Sequence, residues 1–340
     1  MLELRKEGLY CPAGDFFIDP WRPVAHAVIT HAHSDHAKAG HGKYLCHKLT
    51  KTILEKRIGN YNYQGIEWNE PLTHNGVNIS LYPAGHITGS SQIRIEHKGE
   101  VWVVSGDYKT ENDKISGVFE PVKCNTFITE STFGLPIYKW EAQETIYEKM
   151  RKWVLKNNEQ GFNSVFFAYS LGKAQRVADA IGSICKQIVL HGSVFDMHEV
   201  LQKNGISLPN AIHHKDYNEN KKSDATVVIA PMSAINTPWL KKFSPFKTAV
   251  CSGWMQIRGH AKRQDADTGF VLSDHADWNG LLNSIYNTGA DRVMVTHGFE
   301  SVLSRYLQEK GVEALELNTF KRADYATPSE SEEIVHHHSL

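Results

Sequence analysis

The segment THAHSDHAKAG, residues 30–40, places four potential metal ligands within six positions: His31, His33, Asp35 and His36. Imidazole and carboxylate groups without a thiolate suit Zn²⁺, with Mn²⁺ or Fe as substitutes. Three imidazoles and a carboxylate forced together have little stabilising purpose without a cation that offsets their desolvation. The segment therefore predicts a metal site, but two close cations would need more ligands than it supplies.

Four more His or Asp residues stand at predicted strand ends or in loops flanked by glycine. They are His86 in PAGHITGS, Asp107 in SGDYK, His275 in LSDHAD and His297 in VTHGFE. A strand end next to glycine can present a side chain at a sheet edge without crowding. A lone histidine is more often a surface residue or a satisfied core residue, so spacing alone leaves the role of each open.

The composition is that of an ordinary globular protein. The chain has 340 residues with 41% apolar residues, 22% charged residues and a formal net charge of −1, so no global basic field indicates a nucleic-acid partner. Five dispersed cysteines without a C-x-x-C pair are typical of reduced thiols. The charged N-terminus and the lack of an apolar run of ~18 residues predict a cytoplasmic protein with no membrane partner.

The elements that must position these side chains change in character along the chain. Residues 1–130 read mostly as short strands, over 16–19, 26–30, 77–84, 91–97, 100–106 and 124–130. A helix is predicted directly after the histidine segment, capped by Ser34 or Asp35, and further helices are predicted over 49–58 and near 196–204, 278–287 and 300–310. From about residue 141, strands and helices alternate, which indicates a parallel α/β unit that interrupts the first domain.

The ordered motifs of this chain resemble those of a known family. HAHSDH, with Asp19 in FFIDP, His86 and Asp107, resembles the motif set of the metallo-β-lactamase fold. Glu130 in ITESTFG, together with His275 and His297, resembles the further motifs of the β-CASP nucleases, which hydrolyse phosphodiester bonds of RNA or DNA. The segments GLYCPAGDFFIDPWRPV and SGWM are most similar to the bacterial DNA ligase-associated exonucleases, and the resemblance covers roughly residues 8–322.

The resemblance implies an α/β protein with a discontinuous core domain. Residues 1–132 and 254–325 would form a metallo-β-lactamase αββα sandwich, and residues 133–253 an inserted α/β β-CASP cap. The active site would lie in the cleft between the two domains. The acidic, serine-rich tail over 326–340 is expected to be disordered.

The resemblance also implies two Zn²⁺ ions, with Mn²⁺ or Fe possible. The implied ligands are His31, His33 and His86 for one ion, Asp35, His36 and His297 for the other, and Asp107 as the bridge. Asp19 would orient the histidine loop by hydrogen bonds. Two cations about 3.5–4 Å apart activate water for in-line attack on phosphorus and stabilise the developing charge. His275, oriented by Glu130, would protonate the leaving 3′ oxygen.

Contacts with a substrate are predicted in the insert. Ser170 in YSLGKAQ precedes a helix whose N-terminus could hold a phosphate, although a tight turn explains the segment equally well. Ser233, Ser252 and Arg258 follow predicted strands and could line a cleft. His213, His214, Lys241 and Lys242 are interpreted as surface residues.

The function that the resemblance implies is metal-dependent hydrolysis of nucleic-acid phosphodiesters, as a 5′ to 3′ DNA exonuclease in repair with a functional link to a DNA ligase and a helicase. A ribonuclease of the type that processes messenger-RNA 3′ ends is the alternative, and His297 favours it because RNA-cleaving relatives resemble this chain there. A hydrolase of small thioesters or lactams, or an inactive scaffold subunit, fits the motifs less well.

Overall fold

The computed structural model describes residues 1–218, 226–257 and 266–317, and the chain divides into two compact units. The first unit comprises Met1–Lys139 and the chain from His275 onward, and the second comprises Trp140–Asp274. Arg258 and the tail over 326–340 lie outside the described residues. Within the described ranges, no helix is both long and apolar enough to cross a membrane.

The described residues contain six α-helices. They are α1 (Lys48–Ile58), α2 (Gln143–Glu159), α3 (Lys173–Ile181), α4 (Gly192–Lys203), α5 (Trp278–Thr288) and α6 (Glu300–Glu309). The prediction of helices near 49–58, 278–287 and 300–310 is confirmed to within two residues at each end. Helix α4 begins earlier than expected because His191 caps it by accepting a hydrogen bond from the Ser193 amide.

Two sheets form the first unit. One has the order β1-β2-β3-β4-β5-β6, with strands β1 (Glu3–Arg5), β2 (Gly8–Cys11), β3 (Phe16–Ile18), β4 (His26–Val28), β5 (Lys43–His47) and β6 (Tyr63–Ile66). Its first three strands are antiparallel and the rest are parallel. Residues 29–42, which contain the histidine segment, join two neighbouring parallel strands of this sheet.

The other sheet has the order β19-β18-β11-β10-β9-β8-β7. Its strands are β7 (Leu72–His74), β8 (Val77–Pro83), β9 (Ser91–His97), β10 (Glu100–Val104), β11 (Thr126–Ser131), β18 (Arg292–Gly298) and β19 (Glu313–Glu316). Strands β10, β11, β18 and β19 run parallel to one another. Strands β11 and β18 are adjacent although more than 150 residues separate them in the chain.

The alternation of apolar residues decides which face each side chain covers. Trp102 and Val104 of β10 join Phe16 and Val28 of the other sheet in one core, so the two sheets pack face to face. Val103 points the opposite way, into a core that α5 and α6 complete. Helix α1 contacts β5 and β6 of the first sheet. The first unit is therefore an α/β sandwich.

The second unit contains one parallel sheet of order β14-β13-β15-β12-β16-β17. Its strands are β12 (Asn163–Phe167), β13 (Gln187–Leu190), β14 (Ile212–His213), β15 (Thr226–Ala230), β16 (Phe246–Cys251) and β17 (Thr268–Phe270). Residues on alternate positions face two separate cores, one of which includes α2 and α3. Strand β17 follows the predicted boundary at residue 253, yet it belongs to this sheet through its pairing with β16.

One predicted element is wrong. The residues after the histidine segment form no helix, and the amides of His36 and Ala37 both turn back to the carbonyl of His33 in a single turn. Strand β5 begins at Lys43, so the chain has only six residues after His36 in which to return to the sheet. A segment that short does not repay the cost of helix nucleation.

Candidate active site

Asp19 fixes the orientation of two histidines in the first unit. Its carboxylate accepts hydrogen bonds from the amide of Thr30 at 2.8 Å, from the Thr30 hydroxyl, and from Nδ1 of His36 at 2.7 Å. Because the Thr30 hydroxyl donates to Asp19, its oxygen can accept from Nδ1 of His31, which lies 3.0 Å away. Both rings are thus turned so that Nε2 carries the free lone pair.

The Nε2 atoms of His31 and His36 are buried and have no hydrogen-bond partner among the described residues. They converge with Nε2 of His86 on one carboxylate oxygen, Asp107 Oδ2, at distances of 3.6, 3.4 and 3.8 Å. Nδ1 of His33 lies 3.0 Å from Nε2 of His86. Burying polar atoms without partners costs folding free energy. A cation shared by these nitrogens would bind their lone pairs and offset that cost.

Ligand atoms of His31, His33, His86 and Asp107 lie within 4.8 Å of one another, as do those of His31, Asp35 and His36. His31 belongs to both groups, so the two candidate positions adjoin. Asp35 Oδ2 is 3.4 Å from Nε2 of His36. We call His31, His33, His36 and His86 the first-unit histidine cluster.

The electrostatics of this cluster favour a cation. Burial, followed by the neighbouring His36, lowers the pKa of His31 well below its ordinary value. Burial also disfavours the charged form of His36, but the carboxylates of Asp107 and Asp35 overcome it and raise its pKa well above the ordinary value. Burial would raise the pKa of Asp107, but His36 and His31 hold it well below the usual range. The carboxylate of Asp107 therefore stays ionised and requires positive charge beside it.

A glycine allows Asp107 to reach the histidines. Gly106 has φ of +56°, and a Cβ there would lie 2.7 Å from Cβ of Thr30. The loop that carries Asp107 consequently packs directly against the residue that orients His31. Any side chain at position 106 would push the carboxylate away from the cluster.

Glu130 and His275 form a pair beside the cluster. Nδ1 of His275 lies 3.0 Å from each carboxylate oxygen of Glu130, and both side chains are buried. Glu130 also accepts a hydrogen bond from the amide of Tyr108 at 2.7 Å. Because Nδ1 of His275 donates its proton to the carboxylate in a hydrogen bond, any proton transfer to a substrate would use Nε2.

His297 reaches the site through a break in the pairing of β11 with β18. Glu130 pairs with Thr296 and Ser131 pairs with Gly298, so His297 is the extra residue of a bulge and has φ of +56°. Its ring lies 5.2 Å from the ring of His36. It is half-buried and is not among the groups whose ligand atoms all lie within 4.8 Å of one another.

The predicted substrate residues lie in the second unit. The Ser170 hydroxyl is 3.1 Å from the Ser193 hydroxyl, Ser233 is exposed, and Ser252 is buried and caps a short 3₁₀ turn by accepting from the Trp254 amide. All three follow the carboxyl ends of parallel strands. Arg258, the remaining prediction, lies outside the described residues.

Thr30 is the functional residue that the motifs did not indicate. It is buried, it donates to Asp19, and it accepts from His31. The available signal was a polar side chain at the buried end of a strand, immediately before the histidine segment. Such a residue needs a hydrogen-bond partner, and that partner is distant in sequence.

No family model matches the chain. A probable DNA ligase of Opitutus terrae is 29% identical over 314 residues, which are 90% of this chain and 30% of that protein. RNase aCSPSF2 of Saccharolobus solfataricus is 24% identical over 85% of this chain and 72% of its own length. Cleavage and polyadenylation specificity factor subunit 3 of Dictyostelium discoideum is 24% identical over 33% of this chain and 14% of that protein.

The chain thus spans less than a third of the ligase-named relative but most of the archaeal RNase. A crystal structure of a protein of unknown function from Enterococcus faecalis shares the fold, with a TM-score of 0.59 and 14% identity over 89% of this chain and 79% of that one. The relatives, together with the His and Asp clusters, imply a metal cofactor. These relatives point to the β-CASP metallo-β-lactamase nuclease family, which the motifs of this chain resemble.

Proposed function

We propose that this chain hydrolyses phosphodiester bonds of nucleic acid with two metal ions, as a 5′ to 3′ DNA exonuclease in repair. The observation that carries the proposal is the convergence of the buried, partnerless Nε2 atoms of His31 and His36 on Asp107, beside the Glu130–His275 pair. A buried ligand set next to a carboxylate-held imidazole combines a metal site with a proton donor. On this proposal the first unit is the metallo-β-lactamase αββα sandwich and the second is the β-CASP cap.

The resemblance of the motifs supplies the residues that would hold the metals, and the orientations of His31 and His36 support two of them. One ion would take His31, His33 and His86, and the other would take Asp35, His36 and His297, with Asp107 between them. A set of imidazoles and carboxylates without thiolate fits Zn²⁺, and Mn²⁺ or Fe as substitutes. When bound, such ions supply an activated water and neutralise charge on the phosphoryl oxygens.

His275 would complete the reaction. A water oxygen bonds to phosphorus while the bond from phosphorus to the 3′ oxygen breaks, and that oxygen needs a proton as it leaves. Nε2 of His275 would donate this proton, because Glu130 holds Nδ1 and stabilises the charged ring. Asp19 acts earlier, by keeping His36 and Thr30 in place.

The supporting observations disagree on whether the substrate is DNA or RNA. One relative, matched over 90% of this chain, is named a probable DNA ligase, which supports DNA and a functional link to a ligase, whereas the link to a helicase rests on the resemblance of the motifs. The other two relatives have RNA-processing names, and an imidazole at His297 favours a ribonuclease of the messenger-RNA 3′-end type. We place DNA first because the resemblance to the ligase-associated group extends over the whole chain.

The other two readings receive less support. A hydrolase of small thioesters or lactams is disfavoured by the second unit and by Glu130, His275 and His297, which resemble the nuclease motifs. An inactive scaffold subunit has no need to keep these buried imidazoles and carboxylates, because replacing them with apolar residues would remove the cost of desolvating them.

The test uses matched DNA and RNA strands labelled at either end and carrying a 5′-phosphate or a 5′-hydroxyl. Purified protein would be incubated with each strand in Zn²⁺ and in Mn²⁺, next to His31→Ala and the control His97→Ala, whose ring bonds only to the Gly76 carbonyl. We expect mononucleotides released from the 5′ end of DNA by wild type and by the control.

Preferential hydrolysis of RNA would replace the DNA assignment by the ribonuclease alternative. Equal activity of His31→Ala and wild type on every strand would end the metal-dependent assignment. Hydrolysis of neither polymer by metal-loaded protein would end the nuclease proposal.

A further inference from the structure

A second group of histidines lies in the second unit. His191 follows β13, and His213 and His214 end and follow β14, the strand paired in parallel with β13. We call these three residues the second-unit histidine cluster. The rings of His213 and His214 are 4.4 Å apart, and those of His191 and His214 are parallel at 5.6 Å. The cluster therefore occupies the carboxyl edge of a parallel sheet, where α/β units bind ligands.

The protonation of these rings is decided by their Nδ1 partners. Nδ1 of His214 accepts from the indole N–H of Trp239 at 3.1 Å and lies 3.2 Å from Nζ of Lys242. Indole and ammonium groups can only donate, so this Nδ1 cannot carry a proton. Backbone amides occupy the same atom of the other two rings: Ser193 N–H on His191 and Lys215 N–H on His213.

Each neutral ring must consequently carry its proton on Nε2. Burial, followed by Lys242, lowers the pKa of His214 to about 4, and burial also lowers the pKa of His191. These two rings are therefore neutral at physiological pH, with Nε2–H as a donor. A ring in this state has no Nε2 lone pair to give to a metal, so the cluster is built to hold an acceptor.

The Nε2 atoms of His213 and His214 both lie close to Gly192. A Cβ placed on Gly192 would lie 3.3 Å from Nε2 of His213 and 3.8 Å from Nε2 of His214. Glycine at this position leaves room above the backbone, beside the donors. Gly192 is the first residue of α4, and the Ser193 hydroxyl next to it meets that of Ser170. The ammonium of Lys242 lies behind His214, where it also donates to the His214 carbonyl at 2.7 Å.

We propose that the second-unit histidine cluster is a phosphate-binding subsite in which Nε2–H of His213 and of His214 donate to a phosphate oxygen seated over Gly192. Fixed N–H donors with one cation nearby favour an oxyanion over a neutral ligand. The subsite rests on the proposed function for its biological ligand, a phosphate of the nucleic-acid strand. Its binding chemistry does not depend on hydrolysis.

The first measurement concerns the tautomers. Full-length, metal-loaded protein with ¹⁵N-labelled histidine would be examined by long-range proton–nitrogen correlation, with rings assigned from His213→Phe and His214→Phe. We expect both rings to be protonated at Nε2 and not at Nδ1. Protonation at Nδ1 in either ring would overturn the subsite, and so would Zn²⁺ binding to these rings in preference to phosphate.

The second measurement is a titration with inorganic phosphate against chloride at equal ionic strength. We expect saturable shifts of the His213 and His214 ring signals, and an affinity about tenfold weaker in Gly192→Ala, which fills the seat and costs about one hydrogen bond to a charged group. Lys242→Gln should weaken binding while its exposed neighbour Lys241→Gln should not. Shifts that persist unchanged in Gly192→Ala, or that chloride reproduces, would overturn the proposal.

The two proposals fail separately. If His36→Ala abolishes metal binding and hydrolysis while phosphate still shifts the His213 ring, the subsite is independent of the reaction, as proposed. If wild type binds phosphate here but hydrolyses neither DNA nor RNA, the nuclease proposal falls and the subsite stands. Hydrolysis without phosphate shifts at these rings would remove the subsite alone.

Discussion

The two histidine clusters present the same ring to opposite kinds of ligand. In the first unit, acceptor oxygens hold Nδ1 of His31 and His36, so Nε2 offers a lone pair. In the second unit, N–H donors hold Nδ1 of His213 and His214, so Nε2 offers a proton. The atom behind each ring therefore decides whether the cluster suits a cation or an anion.

This difference shows why counting histidines does not identify a site. Both clusters bring three or more imidazoles together next to a turn that follows a strand. In the first, the carboxylates of Asp35 and Asp107 face the rings. In the second, the ammonium of Lys242 and the indole N–H of Trp239 lie behind a ring. The predictions below alter one side of this contrast at a time.

The largest effect is expected from removing the carboxylate on which the first-unit cluster converges. Asp107→Ala removes the negative charge next to three imidazole nitrogens, and two metal cations held there would need that charge. We expect metal content to fall from about two ions per chain to a small fraction of that, with loss of hydrolysis. Elemental analysis of dialysed protein measures it. Full metal content in the variant would exclude Asp107 as a bridge.

His275→Ala should lower the rate of hydrolysis without lowering the metal content. Its Nδ1 is held by Glu130, whose charge stabilises a protonated ring that could donate from Nε2. We expect kcat to fall by about 10²–10⁴-fold while elemental analysis still shows the metals in place. Substrates with a leaving group that needs no proton should recover most of the loss. A metal-free variant would instead make His275 a ligand.

Asp19→Asn changes the atom behind His36. Asparagine keeps one acceptor oxygen, so it cannot serve the Thr30 amide and Nδ1 of His36 on separate oxygens as Asp19 does, and His36 loses its charged acceptor. Metal affinity should fall by about 10–100-fold, as expected when a group that orients a ligand is lost. Asp15→Asn is a matched control, because Asp15 also has positive φ but bonds to Tyr10. Equal effects of the two changes would point to backbone strain instead.

The smallest effect concerns acid stability. The pKa of His214 is lowered to about 4 by burial and by Lys242, whereas an unfolded histidine titrates near 6.5. Between these values the unfolded state binds the extra proton, so stability decreases as the pH falls through this window. His214→Gln should lose less stability than wild type between pH 7 and pH 5. Urea unfolding at both values measures this, and an identical loss would show that His214 does not contribute.

Local sequence patterns predicted much of the scaffold. Strands around β8, β9 and β10 were predicted because apolar and β-branched residues alternate between turns, and this pattern requires only near neighbours. Helices α5 and α6 were likewise predicted from their spacing. The helix after His36 was wrong because the distance back to β5 limits the loop, and no local residue carries that information.

The second-unit cluster was missed for a related reason. His213 and His214 were interpreted as surface residues, yet both rings are half-buried, because Trp239 and His191 reach them from other segments. A histidine pair in sequence shows neither what lies behind each Nδ1 nor what faces each Nε2. The tautomer of His214 depends on donors more than twenty residues away.

The sequence by itself determined that HAHSDH is a ligand motif. Three imidazoles and a carboxylate within six residues are costly to bury together unless a cation offsets their desolvation. Only the tertiary structure decided which nitrogen of each ring faces inward. Asp19 reaches His36 across a strand pairing, and Glu130 reaches His275 from 145 residues away. Hydrogen bonds form between atoms that folding brings within about 3 Å, so ring orientation depends on the packing of the whole unit and not on spacing along the chain.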